Sequence, residues 1–182
     1  CGSGGITASL VTTHNAKKVI GIDVEHDVCV AAKTRIKKLG LENQIEIIKV
    51  NPGLLPFKDS TFNVVFSKDS IVHVADKESL FLEIFRVLKS GGNFVGSDWL
   101  CSHDGTPSPE MRHYLKLEDL GFDMASPNRY ERALTKAGFE NVVLKNRNQW
   151  YLEKAKQEVF MLSKKNRKEF EKISSKKYMD LT

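Results

Sequence analysis

The sequence has no apolar run long enough to cross a membrane, and its opening residues lack the charged-then-apolar pattern of a signal peptide. It contains three cysteines among 182 residues, and they form neither a Cys-x-x-Cys pair nor a cluster with histidine. These absences argue against a membrane-spanning segment, a disulfide framework and a zinc site. We therefore expect a metal-free protein of the reducing cytoplasm.

The composition is that of a folded domain, with 41% hydrophobic and 28% charged residues. The net charge of +5 is uneven, because lysine and arginine are concentrated in residues 154–177. Three glutamates interrupt this basic stretch and Glu153 precedes it, a mixture that is typical of a solvated helix face. We do not expect a nucleic acid as partner, and the chain lacks the N/D-P-P-Y/F tetrad of enzymes that hold a flipped base.

Segments in which apolar residues follow the pattern of a strand alternate with segments in which they follow the period of a helix, and glycines separate several of them. The pattern predicts strands at 18–23, 45–50, 62–67, 93–98 and 139–145, and helices at 6–13, 27–39, 77–88, 111–117, 127–137 and 150–173. Such alternation is typical of an α/β fold, a mostly parallel sheet with helices on both faces. We assign residues 1–182 to one domain, with a core over 1–146 and a C-terminal helical segment over 147–182.

The first candidate site is the opening glycine cluster, which leads directly into a predicted helix. Gly2 and Gly4 allow a ligand to approach the backbone closely, and a helix N-terminus offers free amides. Thr7 stands where a dinucleotide fingerprint requires its third glycine, which disfavours a nicotinamide cofactor. Asp23 ends a buried strand about twenty residues later, where a carboxylate can accept hydrogen bonds from a ribose. Together these features predict a nucleoside cofactor.

At this point the sequence resembles the class I S-adenosylmethionine-dependent methyltransferases, whose fold is Rossmann-like. The segments that carry the resemblance are CGSGG, GID, NPGLLPF and LKSGG, at residues 1–5, 21–23, 51–57 and 88–92. The resemblance implies that S-adenosylmethionine contacts Gly2, Gly4, Asp23, Val24, Asn51, Pro52 and Lys68. Two positions depart from the family pattern. Asn51 replaces an aspartate that accepts from adenine, and Pro52 lacks the usual backbone donor, a loss of about 0.5–1.5 kcal/mol.

A closer resemblance, to the phosphoethanolamine (phosphobase) N-methyltransferases, lies in SKDSIVHV at residues 67–74. It implies that His73 is catalytic, with Asp69 as the acidic residue before it. The segment SDWL places Trp99 at a substrate-facing position, and Tyr114 matches a tyrosine of the family's phosphate site. The implied substrate is a small-molecule amine, such as phosphoethanolamine or its methylated forms.

The chemistry of methyl transfer suits these residue types. The enzyme must orient the amine, keep it deprotonated and exclude water. His73 is expected to be the general base, since an imidazole titrates near neutrality. Asp69 lies one helical turn before it and is expected to orient the imidazole or hold a cationic amine.

Other functions stay open. Glu118 and Asp119 stand where the family has its phosphate-binding arginine, although Arg112 and Lys116 are near, so one alternative is a methyltransferase for a non-phosphorylated acceptor. Another is a catalytically silent, methyltransferase-like binding domain, suggested by Pro52. The family's first strand and final strand have no counterpart here, so we expect the complete protein to extend at both ends.

Overall fold

The computed structural model describes residues 1–118 and 121–162. Contacts divide the chain into two compact units, Cys1–Val142 and a second that begins at Val143. The division falls four residues before the core boundary expected from the sequence.

The strands of the first unit form two parallel pairs. They are β1 (Val19–Asp23), β2 (Ile45–Lys49), β3 (Phe62–Lys68) and β4 (Leu88–Ser97). In the first pair, β1 lies beside β2 with Val19 opposite Ile45 and Asp23 opposite Lys49. In the second pair, β3 lies beside β4 with Lys68 opposite Ser97. Both parallel pairs and the helices that connect their strands follow the predicted α/β alternation.

Helices lie between and after the strands, close to the predicted positions. They are α1 (Gly5–Thr12), α2 (His26–Lys38), α3 (Lys77–Val87), α4 (Pro109–Glu118), α5 (Pro127–Ala137) and α6 (Asn148–Leu162). A single 3₁₀ turn, Ile71–His73, lies between β3 and α3. The last residues of the predicted helix 150–173 lie outside the described residues.

One core joins α1 and α2 to the first strand pair. Ala32 on α2 is completely buried, and Ile36 and Ile47 pack in the same cluster. Gly4 lies directly against Ala32, so that a β-carbon on Gly4 would come within 3.2 Å of the Ala32 β-carbon. This close approach holds the start of α1, and hence the glycine turn, against α2.

A second core joins α3 and α5 to the other strand pair. Phe81 is completely buried and meets the rings of Phe94 and Tyr130 edge to face, with centroids 5.8 and 5.5 Å apart. Edge-to-face pairs add to the free energy of burial because of the ring quadrupoles. This aromatic core packs α3 and α5 against the second strand pair.

Capping residues set the ends of α5 as the sequence predicts. The Ser126 hydroxyl accepts a hydrogen bond from the Arg129 amide at 3.1 Å, and Pro127 occupies the first turn. Gly138 ends the helix with φ of 107°, a left-handed conformation that favours glycine. A β-carbon on Gly138 would meet the Phe85 ring at 2.8 Å, so glycine is required there for packing as well.

Two predicted features are wrong. The segment 139–145 is not a strand: Asn141 has φ of 55°, and Phe139 and Val142 instead pack against the aromatic core. The strand predicted at 93–98 starts earlier, so that residues 90–92 lie inside β4, where the register against β3 shifts between Phe62 and Val64. Such a bulge lets a glycine pair sit within a strand without ending it.

The second unit contributes α6, where the Arg147 guanidinium lies 4.5 Å from the centre of the Trp150 ring. The basic stretch begins on this helix, and Lys156 pairs with Glu153 at 3.0 Å, as expected for a mixed-charge helix face. Within residues 1–118 and 121–162, none of the helices is both long enough and apolar enough to cross a membrane.

Candidate functional site

The glycine turn and the end of β1 contact each other directly. The Gly2 amide donates to the Asp23 Oδ2 atom at 3.0 Å, and the Cys1 amino group donates to the same oxygen at 2.8 Å. Gly2 and Gly4 both have left-handed backbone conformations, with φ of 52° and 78°. The two features that the sequence assigns to one nucleoside therefore lie side by side.

Asp23 has a structural role that the sequence did not reveal. Its other oxygen accepts from the Glu25 amide at 3.2 Å, so three donors from two segments converge on one carboxylate. Burial disfavours the charged form of Asp23, whereas the hydrogen bonds from the Glu25 and Gly2 amides favour it and lower its pKa. A carboxylate has about four lone-pair sites, so capacity for a further donor remains.

The start of α1 offers a second feature suited to a polar ligand. Gly4 is the N-cap residue and supplies no side-chain cap to the first turn of the helix. A Gly2 side chain, if present, would meet open space. The backbone is thus accessible at Gly2, as a ligand that approaches the turn requires, whereas Gly4 is buried against Ala32.

The predicted adenine-contacting segment follows β2. The Val50 amide donates to the Asp23 carbonyl at 2.9 Å, which places Asn51 beside the end of β1. Asn51 and Pro52 are exposed, as is Val24 on the neighbouring strand end. These residues lie at the carboxyl ends of adjacent parallel strands, the usual location of ligands in such sheets.

Helix α3 anchors the same segment through two charged residues. Glu83 Oε2 accepts from the Leu55 amide at 2.8 Å, and Arg86 donates to the carbonyls of Leu55 and Phe57 at 3.1 and 2.8 Å. Glu83 and Arg86 also pair with each other in a bidentate contact. Hydrogen bonds from Arg86 hold the pKa of the mostly buried Glu83 carboxyl below its ordinary value.

Lys68 and Asp69 form an ion pair at the carboxyl end of β3. Asp69 has φ of 52°, an uncommon conformation for a residue with a side chain, and its amide donates to the Ser97 carbonyl at 2.9 Å. The chain thereby leaves the sheet sharply, and the 3₁₀ turn that carries His73 follows at once.

His73 is exposed, and its ring is held on two sides. Its Nδ1 atom lies 3.0 Å from the Gly121 carbonyl oxygen, and its ring stacks on Phe122 with centroids 5.1 Å apart. A carbonyl can only accept, so in the neutral imidazole this contact places the hydrogen on Nδ1. The Nε2 atom then carries the lone pair that can take a proton.

The expected orientation of His73 by Asp69 is wrong. The imidazole is oriented by Gly121 and Phe122, while the Asp69 carboxylate pairs with Lys68. The physical reason is the backbone at Asp69, because a residue with φ of 52° cannot continue a right-handed helical turn. The other expectation, that Asp69 holds a cationic amine, stays a prediction.

Asp98 is a partly buried carboxylate next to the predicted residue Trp99, and sequence reasoning missed it. It directly follows β4, with Oδ2 accepting from the Tyr130 hydroxyl at 2.5 Å and Oδ1 accepting from the Trp99 amide at 3.0 Å. Burial raises the pKa of this carboxyl, against the opposing hydrogen bonds. The contacts fix the start of the segment that carries the predicted substrate residue Trp99.

The predicted phosphate-side residues lie on α4. Tyr114 is half exposed, and Arg112 donates to the Pro107 carbonyl at 3.0 Å. Lys116 is exposed on the same helix, whereas Asp119 lies outside the described residues. The geometry of α4 therefore does not distinguish a phosphorylated methyl acceptor from a non-phosphorylated one.

The sequence profile described as "Methyltransferase domain" matches residues 1–96, which include the glycine turn, Asp23, Asn51 and His73. The chain belongs to this methyltransferase family. Among curated relatives, it is 30% identical over 181 residues to phosphoethanolamine N-methyltransferase 1 of Arabidopsis thaliana, covering all of this chain and 36% of the relative. It is 33% identical over 152 residues to phosphoethanolamine N-methyltransferase 1 of Triticum aestivum, covering 84% of this chain and 29% of the relative. The resemblance stated from the motifs is confirmed, and the chain spans about a third of the length of these relatives.

Solved structures confirm the fold. Phosphoethanolamine N-methyltransferase 2 of Haemonchus contortus, in complex with phosphomonomethylethanolamine and S-adenosylhomocysteine, has a TM-score of 0.86 and 23% identity, covering 98% of this chain and 41% of that one. The same enzyme with S-adenosyl-L-methionine has a TM-score of 0.83 and 22% identity, covering 99% and 41%. This chain thus has the Rossmann-like fold of the methyltransferase family, as the motifs implied.

Proposed function

We propose that this chain belongs to an enzyme that transfers a methyl group from S-adenosylmethionine to a small amine of the phosphoethanolamine type. The observation that carries the proposal is the His73 imidazole, which has Nδ1 bound to the Gly121 carbonyl and Nε2 left as a proton acceptor. The relatives named above support the acceptor class, and the solved complexes of Haemonchus contortus support the cofactor.

The glycine turn and Asp23 fit the cofactor. Its adenosyl part needs a hydrogen-bond acceptor for ribose hydroxyls and an accessible backbone, and Asp23 beside Gly2 offers both. Gly4, Val24, Asn51, Pro52 and Lys68 complete the proposed contact set. When bound, the cofactor supplies a methyl group on a positively charged sulfur.

The acceptor side would use Asp69, His73, Trp99 and Tyr114. Asp69 would attract the cationic amine, and the Trp99 face would favour a cation by its ring quadrupole. His73 Nε2 would take the amine proton, so that the nitrogen lone pair forms the new bond to carbon as the bond from carbon to sulfur breaks. The three free cysteines support a reducing, cytoplasmic setting for this chemistry.

The test measures S-adenosylhomocysteine release from the chain with phosphoethanolamine, phosphomonomethylethanolamine or ethanolamine. We expect turnover with the phosphorylated amines, and a loss of about 10²–10⁴-fold in His73→Gln, the usual contribution of a general base. His113→Gln removes an exposed histidine from α4 and is the matched control. Preference for ethanolamine would instead support the non-phosphorylated acceptor.

Calorimetry separates binding from turnover. Asp23→Asn should weaken S-adenosylhomocysteine binding, because one charged acceptor is lost, while Asp27→Asn on the exposed start of α2 should not. Binding without turnover on any amine would favour the silent binding domain. No binding at all would contradict the proposal.

A further inference from the structure

The most deeply buried charged group in the described residues is Lys77, the first residue of α3. Its side chain is 1% exposed, although lysine is almost never fully buried without partners. Burial of an ammonium is costly unless hydrogen bonds and an opposite charge compensate. The question is therefore what the ammonium holds in place.

The Lys77 ammonium joins two segments that meet beside His73. It donates to the Val74 carbonyl at 2.7 Å and to the Asp123 carbonyl at 2.5 Å. Val74 directly follows His73, and Asp123 directly follows Phe122, on which the imidazole stacks. The Lys77 ammonium thus binds the backbone next to His73 and also the backbone next to Phe122, the ring on which the imidazole stacks.

A second hydrogen bond connects the same two segments and fixes their relative position. The Asp123 amide donates to the Val72 carbonyl at 2.7 Å, so Val72 is bound to Asp123 directly and Val74 is bound to it through the Lys77 ammonium. The Gly121 carbonyl, which fixes the imidazole Nδ1, lies two residues before Asp123. Without the ammonium, two carbonyls would lose their donor and the two segments would separate more easily.

The opposite charge beside the Lys77 ammonium is a carboxylate that a second cation shares. The Asp123 carboxylate lies 3.5 Å from the Lys77 ammonium and is shared with Arg129 at 3.7 Å. An apolar residue of similar volume often stabilises a fold as well as a buried ion pair does. The contacts of Lys77 instead favour a role in geometry.

We propose that Lys77 is a positioning residue that holds the Gly121 carbonyl and the Phe122 ring against His73, and so keeps the imidazole in its Nδ1-protonated form. The inference rests on the proposed role of His73 as base. It adds a requirement that the motif around His73 does not contain, because the positioning group lies on the next helix.

The first test is a double-mutant cycle on turnover. Lys77→Met keeps the side-chain length but removes the donors, and we expect kcat to fall roughly tenfold to hundredfold, as for a misplaced catalytic group. In the His73→Gln background the same change should have almost no further effect on kcat, since Lys77 acts through His73. Lys33→Met, on the exposed face of α2, is the control. Equal losses in both backgrounds would overturn the proposal.

The second test reads the imidazole directly and does not require turnover. In histidine-labelled protein, the His73 signal is identified by its loss in His73→Gln. We expect ¹⁵N shifts of one dominant tautomer in the wild type, and averaged shifts in Lys77→Met. Lys77→Gln, which keeps a donor, should be intermediate and serves if the methionine variant does not fold. Unchanged His73 shifts in a folded variant would overturn the proposal. If the wild type shows no turnover, the proposed function fails and these spectra alone decide the positioning role.

Discussion

The region from Cys1 to Lys49 and the region from Phe62 to Val142 hold their candidate groups by different means. In the first, backbone donors at Cys1 and Gly2 meet the Asp23 carboxylate, and the residues are 21 to 22 apart in sequence. In the second, the side chain of Lys77 reaches a residue 46 positions away to fix the surroundings of His73. The first site consists of a glycine turn and a strand end, both of which short sequence motifs reveal. The second depends on buried side chains, whose contacts form only when the whole core is packed.

The comparison predicts that the largest effects follow from damage to the aromatic core of the second region. Phe81→Ala removes a completely buried ring that touches Phe94 and Tyr130. We expect the free energy of unfolding to fall by about 3–5 kcal/mol, the usual effect of such a cavity. Urea unfolding measures it, and Leu82→Ala, at a half-exposed position on the same helix, is the control. A loss below about 1 kcal/mol would mean that the core tolerates the cavity.

In the first region, the backbone of the glycine turn should be the sensitive feature. Gly4→Ala places a β-carbon 3.2 Å from the Ala32 β-carbon at a residue with φ of 78°. We expect a loss of about 1–3 kcal/mol from strain, together with weaker S-adenosylhomocysteine binding. Unfolding and calorimetry measure the two effects.

The neighbouring glycine provides a control of opposite sign. Gly5 begins α1, and a β-carbon there would meet no atom within 4 Å. Gly5→Ala should stabilise the chain by up to about 1 kcal/mol, since alanine favours a helix. If both substitutions had the same effect, the turn would not depend on the special backbone of Gly4.

A helix cap tests the second region more gently. Ser126→Ala removes the hydroxyl that accepts from the Arg129 amide, and Ser126 is 3% exposed. We expect a loss of about 0.5–2 kcal/mol in the free energy of unfolding by urea. Asn128 is exposed in the first turn of the same helix, two residues after Ser126. Asn128→Ala should change the free energy of unfolding by less than about 0.5 kcal/mol. Equal effects would show that the cap contributes nothing specific.

Local sequence signals were sufficient wherever a local contact determines the structure. The bounds of α5 were predicted at residues 127 and 137, because the cap at Ser126 and the stop at Gly138 each depend on the conformation of a few successive residues. The predicted strand at 139–145 failed for the opposite reason. A strand requires a partner, and apolar alternation alone does not supply one.

The arrangement around His73 was only half predictable. The motif identified the histidine and its acidic neighbour, but spacing suggested a helical turn that the backbone of Asp69 does not form. Lys77 has no sequence signal at all, because a lysine in the first turn of a helix ordinarily lies in solvent. Its partner Asp123 is recognisable only once α3 and the segment before α5 are packed together.

The smallest expected effect concerns the ion pair beside this site, between Glu78 and Arg129, in which both carboxylate oxygens accept at 2.9 Å. Hydrogen bonds from Arg129 outweigh desolvation and lower the pKa of Glu78 from 4.5 to about 2. A lowered folded-state pKa means that the pair stabilises the fold above pH 4.5 and that this contribution is lost as the pH falls toward 2. Because the Glu78 side chain is 43% exposed and solvent screens the pair, we expect about 0–1 kcal/mol.

Glu78→Gln should therefore be less stable than the wild type at pH 7, and the difference should shrink as the pH falls below about 4.5. Urea unfolding at a series of pH values measures it. In an Arg129→Gln background the pH-dependent part should disappear, because the donor that lowers the pKa is gone. A pH-dependent difference that survives there would assign the carboxylate another partner. If the pH-dependent difference disappears, the Glu78 carboxylate stabilises the fold through its contact with the Arg129 side chain, which α3 and α5 bring together. The Asp23 carboxylate differs, because its partners are backbone donors.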